Sequence, residues 1–224
     1  MKEKTVEQHV YNKLRTAILA RKLAPGKQLV EHNISNTLGV SRTPIRNAIK
    51  KLSNEGFVDL IPNRGAFVTS PSKDEVIQAY ELRANLEYLA VKKSMHVMDE
   101  NDYNHINRII EDEKKSLINH NSEEFVVANK AFHIAITKKC DNKFLNEFIE
   151  RLINQTNIYL ILFDEFFSNP GQEPYSPDEH RYLLQLIQNK DETGLKIALE
   201  NHFKHSINSI DIRFNGYKDL DEIF

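Results

Sequence analysis

Three basic residues recur at every fourth position in the stretch that follows Ser41: Arg42, Arg46 and Lys50. On an α-helix this spacing places them in a single stripe. The apolar residues of the same stretch point about 110° away around the helix, so the stripe stays in solvent. In the major groove of DNA, arginine can bind guanine through two hydrogen bonds, and further basic residues can meet phosphates. The spacing predicts an exposed recognition helix with Ser41 as its N-cap.

Three histidines form the second group that could do chemistry, because each lies on the apolar face of a different predicted helix. They are His133, His180 and His202, and Asn129 lies one turn before His133 on the same face. A single inward histidine is usually a hydrogen-bonded core residue, whereas three on separate helices can converge. Three nitrogen ligands suit zinc, nickel or a similar ion. The spacing leaves both interpretations open, and His205, at the edge of the His202 face, is a weaker candidate ligand.

Arg83 is a third candidate, since its helical neighbours Val76, Tyr80 and Ala84 turn it partly inward. An inward arginine can hold the carboxylate of a small effector through paired hydrogen bonds. It can equally form an ordinary ion pair with Glu87, four residues further along the helix. The sequence does not separate these two interpretations.

The elements that would position the basic stripe lie in the first 70 residues. Apolar spacing predicts a helix near residues 6–18 and another over 31–38, which Gly39 ends before the turn into the recognition helix. Gly56 is expected to close that third helix, giving a helix-turn-helix. Two strands, predicted at 57–61 and 66–69, flank a tight turn with Arg64 at its tip, which completes a winged helix.

Charge divides the chain in the same place. Residues 1–70 carry twelve Lys/Arg and five Asp/Glu, for a net charge of +7, although the whole chain carries −2. The remainder is therefore strongly acidic. A basic block on an acidic protein is typical of a polyanion-binding module. Charge alone fits RNA or an anionic membrane as well, but the wing and the lack of an aromatic stacking platform favour double-stranded DNA.

Composition narrows the cellular setting. The chain has one cysteine, Cys140, so it can form no intrachain disulfide, and a reducing cytoplasm is expected. No apolar run approaches the length of a membrane span, and the charged N-terminus lacks the apolar core of a signal peptide. We expect a cytoplasmic protein without a membrane partner.

The rest of the chain is predicted to be almost entirely helical. Residues 70–72 form a linker in which Ser72 can cap the following helix. Helices are expected at 73–97, 100–119, 122–138, 142–167, 177–189 and 191–213. The predicted fold is mostly α, with a winged helix-turn-helix domain at 1–70 and an antiparallel helical bundle at 71–224 that binds the effector and dimerises.

These motifs resemble a known family. The first 70 residues are similar to the winged-helix domain of the GntR family of bacterial transcription regulators, and the remainder resembles the FadR-like subfamily with its helical FCD domain. The first similarity rests on Leu23-Ala24-Pro25-Gly26, on Leu38-Gly39-Val40-Ser41-Arg42-Thr43-Pro44-Ile45-Arg46 and on Arg64-Gly65-Ala66. The second rests on Tyr80-Glu81-Leu82-Arg83, Ala131-Phe132-His133, Glu179-His180 and Asn201-His202.

The resemblance assigns roles to particular positions. It implies DNA contacts at Arg15, Ser41, Arg42, Thr43, Arg46 and Gly65; the basic stripe adds Lys50, and the wing tip adds Arg64. Many FCD domains bind a divalent metal through one aspartate and three histidines, and His133, His180 and His202 match the histidine positions. Asn129 stands at the aspartate position. A neutral amide oxygen can still coordinate, but it adds no charge. Two outcomes stay open: a bound metal of lower affinity, or a polar ligand pocket without metal.

The residues and the resemblance together predict a homodimeric, DNA-binding transcription regulator that recognises a double-stranded operator, and the resemblance favours a repressor. A small carboxylate effector is implied by the resemblance alone, with Arg83 and Asn129 as candidate contacts, and the expected cofactor is zinc or nickel. A metal sensor is the alternative. A metalloenzyme fused to a DNA-binding module is less consistent with the sequence, because there is no HExxH motif and no carboxylate obviously placed as a general base. We therefore expect no enzymatic activity.

Overall fold

The computed structural model describes residues 5–20, 22–163 and 176–210. The described residues form two compact units, one ending at Pro71 and the other beginning at Ser72. The first combines three helices with a two-stranded sheet, and the second is helical. Among the described residues, no helix combines the length and the apolar composition needed to cross a bilayer.

The first unit is a winged helix-turn-helix. Its elements are α1 (Val6–Leu19), α2 (Glu31–Leu38), α3 (Arg42–Asn54), β1 (Val58–Ile61) and β2 (Gly65–Val68). Helix α3 packs against α1, α2 and β1. Its apolar face includes the fully buried Ile45 and Leu52, and Leu14 and Ile18 of α1 are fully buried as well. This packing explains why the basic stripe is exposed, because α3 buries its apolar face and leaves the adjacent face in solvent.

The turn between α2 and α3 depends on Gly39. Its φ of 65° lies in the left-handed region, and its N–H donates to the Ser35 carbonyl at the end of α2. Ser41 occupies the N-cap position of α3 with an extended backbone, as the sequence predicts, but its hydroxyl makes no capping hydrogen bond. The expected side-chain cap is therefore wrong, although the helix begins where it was expected.

The wing is shifted slightly from its predicted bounds. β1 pairs antiparallel with β2, with Val58 opposite Val68 and Ile61 opposite Gly65. β1 begins one residue later than expected and β2 one residue earlier. Gly65 supplies the early start because it adopts a φ of 105°, which a residue with a Cβ rarely tolerates. The Thr69 N–H still donates to the Phe57 carbonyl at 3.0 Å, so the predicted ends remain hydrogen-bonded outside the regular strands.

The second unit is an antiparallel helical bundle. Its described helices are α4 (Lys73–Ser94), α5 (Glu100–Ile118), α6 (Ser122–Thr137), α7 (Lys143–Phe163), α8 (Ser176–Gln188) and α9 (Glu192–Asn208). α4 packs against α6, α7 and α9, while α5 packs against α6 and α8. The neighbours α6 and α7, and α8 and α9, also pack together.

Helix ends in the bundle are set by capping side chains. Ser72 and Glu75 form a reciprocal capping box at the start of α4, and Asp191 caps α9 by accepting from the Gly194 N–H. α4 ends three residues before its predicted end. α9 ends at Asn208, before its predicted end, with Ser209 as its C-cap. Residues 164–167 predicted for α7 and residues 211–213 predicted for α9 lie outside the described part of the chain.

Candidate functional site

The basic stripe of α3 is exposed. Arg42, Arg46 and Lys50 are all exposed, on a face of the helix about 110° from its buried residues. Arg46 is held by Glu31 at the start of α2 through two hydrogen bonds of 2.8 Å, from Nε and from Nη2. One nitrogen of Arg42 lies 3.4 Å from the His32 ring. The stripe predicted from spacing is thus present, with a carboxylate partner that the sequence did not indicate.

The remaining candidate DNA contacts lie on the same unit. Ser41 and Thr43 are exposed at the start of α3. Arg64 and Gly65 are exposed at the wing, where the Arg64 guanidinium lies 5.5 Å from the centre of the Phe67 ring. Arg15 differs, because it is half-buried and its guanidinium lies 5.7 Å from the centre of the Phe57 ring.

The three candidate histidines converge inside the bundle. His133 of α6, His180 of α8 and His202 of α9 are all buried, and one ring nitrogen from each lies within 4.8 Å of one from each of the others. Their ring centres are 4.8 to 5.3 Å apart. Of the two interpretations that the sequence left open, the structure supports a cluster rather than three separate core histidines. We call these residues the histidine cluster.

Each imidazole of the histidine cluster is fixed by its own carboxylate. The Nδ1–H of His133 donates to Glu87 at 2.6 Å, and that of His180 donates to Glu113 at 2.7 Å. His202 donates to Glu179 at 2.7 Å. Burial raises the pKa of Glu87, but the Arg83 guanidinium beside it favours the ionised form. An ionised carboxylate can only accept, so these bonds assign the proton to Nδ1 and leave the Nε2 lone pairs free.

The free nitrogens are ready to act as ligands. Nε2 of His133 and Nε2 of His180 are buried and have no hydrogen-bond partner. Burial lowers the pKa of His133 well below its usual value, and the nearby charge of Arg83 lowers it further. Burial also lowers the pKa of His202 to about 4, although Glu179 acts in the opposite direction. The rings of His133 and His202 are therefore neutral at pH 7, and the neutral ring is the form that binds a metal.

Arg83 is buried beside the histidine cluster and linked to it. Its Nε donates to one oxygen of Glu87 at 2.6 Å, while the other oxygen of Glu87 accepts from His133. Its Nη1 donates to the Thr156 hydroxyl of α7 at 2.8 Å. The predicted pair with Glu87 is thus present. However, Nη2 is buried without a partner, so the arginine keeps a donor for a further acceptor.

Asn129 is also buried, one turn before His133 on α6. Its side-chain oxygen has no hydrogen-bond partner. An unpaired buried amide oxygen is costly, so a ligand that accepts its lone pair would stabilise this arrangement. His205, the weaker candidate ligand, is exposed and hydrogen-bonded to Glu179, and the histidine cluster does not include it.

Sequence reasoning missed several residues that shape the site. Glu113 shares the inward face of α5 with Ile106, Ile109 and Ile110, and its other oxygen accepts from the Ser176 hydroxyl. The position of Glu113 among apolar residues at helical spacing indicated a buried carboxylate. The sequence did not indicate that His180 would be its partner. Phe132 stacks on His180 with ring centres 3.8 Å apart, a contact that the sequence did not indicate.

Comparison with known proteins gives matches over both units. The family described as "Bacterial regulatory proteins, gntR family" matches residues 6–68, and the "FCD domain" family matches residues 78–205. An uncharacterized HTH-type transcriptional regulator, YdhC of Bacillus subtilis, is 26% identical over 198 residues, which cover 87% of this chain and 86% of that protein. The HTH-type transcriptional regulator McbR of Escherichia coli is 24% identical over 207 residues, covering 92% and 93%.

The fold is also found among solved structures. The E. coli McbR/YncC structure matches with a TM-score of 0.68 and 22% sequence identity, covering 91% of this chain and 96% of that one. The match includes the winged helix and the helical bundle, so the two units occur together in a known protein. At this level of identity the similarity concerns the fold.

Proposed function

This chain belongs to the GntR family of bacterial regulatory proteins and is a DNA-binding transcription regulator, and we propose that it is a repressor controlled by a small carboxylate and a divalent metal. The relatives are transcription regulators rather than enzymes, so the metalloenzyme alternative is set aside. The observation that carries the regulatory proposal is the pair of unpartnered Nε2 atoms inside the histidine cluster.

DNA reading is assigned to the first unit. The exposed stripe of Arg42, Arg46 and Lys50 would enter the major groove, and Arg64 of the wing would reach an adjacent groove or the backbone. The net charge of +7 over residues 1–70 favours this surface for phosphates. A homodimer would place one winged helix on each half of a pseudo-palindromic operator. The protein would act in the bacterial cytoplasm.

The histidine cluster fits a divalent metal. Three imidazoles with anchored Nδ1 atoms form the arrangement that metal-ligating histidines adopt, because a carboxylate behind each ring sets its orientation and basicity. Imidazole suits zinc and nickel among the available metals. Asn129 would supply a neutral oxygen. Without an anionic ligand from the protein, the metal would keep more positive charge for an incoming anion.

The effector would be that anion. The buried Nη2 amino group of Arg83 has no partner, and a carboxylate oxygen is the acceptor it suits. A carboxylate held by Arg83 and a metal at the histidine cluster would both act on Glu87, which bonds Arg83 and His133 through its two oxygens. Effector binding would then favour one arrangement of the bundle helices over another and so change operator affinity.

Metal and effector control can be tested on the full-length protein after chelation. We expect added zinc or nickel to raise the thermal midpoint, and a small carboxylate from a screened panel to raise it further and to change operator affinity. His133→Ala with His180→Ala should remove both responses, whereas the exposed control His105→Ala should keep them. A purified wild type that contains no metal and takes up none would contradict the metal assignment.

The same experiment separates the metal-sensor alternative, which the unpartnered Nε2 atoms also support. If operator affinity changes with metal alone and no carboxylate adds to the effect, the ion itself is the signal. If metal alone leaves operator affinity unchanged and a carboxylate alters it only in the metal-loaded protein, the ion is a cofactor for effector binding.

A further inference from the structure

The contact between α2 and α3 involves a residue to which the proposed function gives no role. Glu31, in the first turn of α2, is the partner of Arg46 on the exposed face of α3. The two residues are far apart in sequence and meet only because the helix-turn-helix packs α2 against α3. Both are solvent-accessible, with 69% of the Arg46 side chain and 31% of the Glu31 side chain exposed.

The geometry of the pair decides which donors remain. Arg46 uses Nε and Nη2, the two groups on the side edge of the guanidinium, each at 2.8 Å from a different oxygen of Glu31. A guanidinium has five N–H groups in a rigid planar fork. Two are engaged here, so three remain, and the terminal edge formed by Nη1 and Nη2 still offers two parallel N–H groups.

The terminal edge is what guanine requires. The N7 and O6 atoms of guanine accept two parallel N–H bonds from one arginine in the major groove. A free arginine can present either its side edge or its terminal edge, and it loses conformational freedom when it binds. Because Glu31 occupies the side edge, only the terminal edge of Arg46 can still form two parallel hydrogen bonds. The ion pair also restricts the side-chain conformations of Arg46 before DNA binds.

We propose that Glu31 is a specificity-determining positioning residue, which holds Arg46 so that only its terminal guanidinium edge reads a guanine in the operator. The proposal rests on the assignment of α3 as the recognition helix. The hydrogen bonds from Arg46 lower the pKa of Glu31, so the carboxylate stays ionised and bidentate at neutral pH. A carboxylate so close to DNA should lower the affinity for phosphates on any sequence. In return, it should raise the preference for the selected sequence over others.

The test compares two duplexes of equal length. One carries the site that the full-length wild-type protein selects from a random-sequence library, and the other is random-sequence DNA. Glu31→Gln keeps the side-chain shape but can accept only one of the two Arg46 bonds. Glu55→Gln is the matched control, because it removes the same charge from the same unit and can still accept from the Tyr11 hydroxyl.

We expect Glu31→Gln to lower the ratio of selected-site to random-DNA affinity by about tenfold, and Glu55→Gln to leave that ratio unchanged. The thermal midpoint should barely move, since an exposed ion pair contributes little to stability. In an Arg46→Ala background, the effect of Glu31→Gln on the ratio should vanish, because the two residues act as one unit.

Three results would overturn the proposal. Equal shifts in both affinities for Glu31→Gln and Glu55→Gln would make Glu31 a general negative charge. Tighter binding of the selected site alone by Glu31→Gln would make the pair a latch that DNA must open. An undiminished effect in the Arg46→Ala background would show that Glu31 acts through another residue. If the wild type selects no site at all, the DNA-reading assignment fails before this proposal is reached.

Discussion

At the scale of single residues, the histidine cluster depends on three carboxylates as much as on three imidazoles. Glu87, Glu113 and Glu179, from three different helices, each bind the Nδ1 atom of one histidine of the cluster. Without them, either ring nitrogen could carry the proton and the rings could rotate. The carboxylates therefore determine which nitrogen faces the centre of the cluster.

Glu113→Gln should weaken zinc or nickel binding by about 10- to 100-fold, the usual cost of removing a group that orients a metal-bound histidine. The amide can accept from either Ser176 or His180, but it carries no charge to make the imidazole more basic. Isothermal titration of the chelated protein measures the change. Glu111→Gln, on the exposed face of α5, is the control, and equal affinities in the two variants would contradict the role assigned to Glu113.

Acidification should destabilise the chelated protein between pH 6.5 and pH 4. His202 has a folded-state pKa of about 4 against an ordinary value of 6.5, so between these values the unfolded chain binds more protons. The free energy of unfolding is therefore unaffected by His202 above pH 6.5, the ordinary pKa of histidine, and it decreases as the pH falls below that value. At pH 5.5 protonation of His202 in the unfolded chain should cost the folded state about 1 kcal/mol relative to neutral pH.

Urea unfolding of the chelated protein at pH 7 and pH 5.5 tests this expectation. His202→Gln should show a smaller loss than the wild type, because its buried side chain does not titrate. An unchanged or greater stability of the wild type at the lower pH would show that the rings are protonated in the folded protein.

At the scale of elements, the turn between α2 and α3 sets the presentation of the basic stripe. Gly39→Ala should destabilise the protein by about 1 kcal/mol, because its φ of 65° strains any residue with a Cβ. Apart from Gly39 and its two neighbours in the chain, no described residue has an atom within 4 Å of the position the new Cβ would take, so backbone strain is the main expected cost. Gly39→Asn is the control, since asparagine tolerates this conformation better. Equal stability of the alanine variant and the wild type, measured by thermal unfolding, would contradict the argument.

Element positions could be read from the sequence where apolar spacing and a local stop signal agree. α2 occupies its predicted bounds because Gly39 ends it, and Ser72 begins α4 through the capping box. The inward direction of His133 was also predictable from Phe132 and Ile136. The pairing of His180 with Glu113 was not, because it depends on how α5 and α8 are rotated against each other, which local spacing does not determine. The same holds for Glu31 and Arg46.

At the scale of the whole molecule, the two units differ in charge and in chemistry. The first carries the positive charge and exposes arginines, whereas the second buries histidines, carboxylates and Arg83. This division suits a regulator that senses in one unit and binds DNA with the other. Because the basic stripe and the histidine cluster lie in different units, substitutions in the stripe should change operator preference. Substitutions in the histidine cluster should change metal binding.

Affinity for the selected duplex and for random-sequence DNA, measured at physiological salt for wild type and Arg46→Ala, tests the central claim most directly. The account predicts that the wild type prefers the selected site and that Arg46→Ala reduces this preference by about 10- to 100-fold, while the exposed control Lys93→Ala keeps it. A wild type without preference, or an Arg46→Ala variant that retains it, would contradict the reading of DNA by α3.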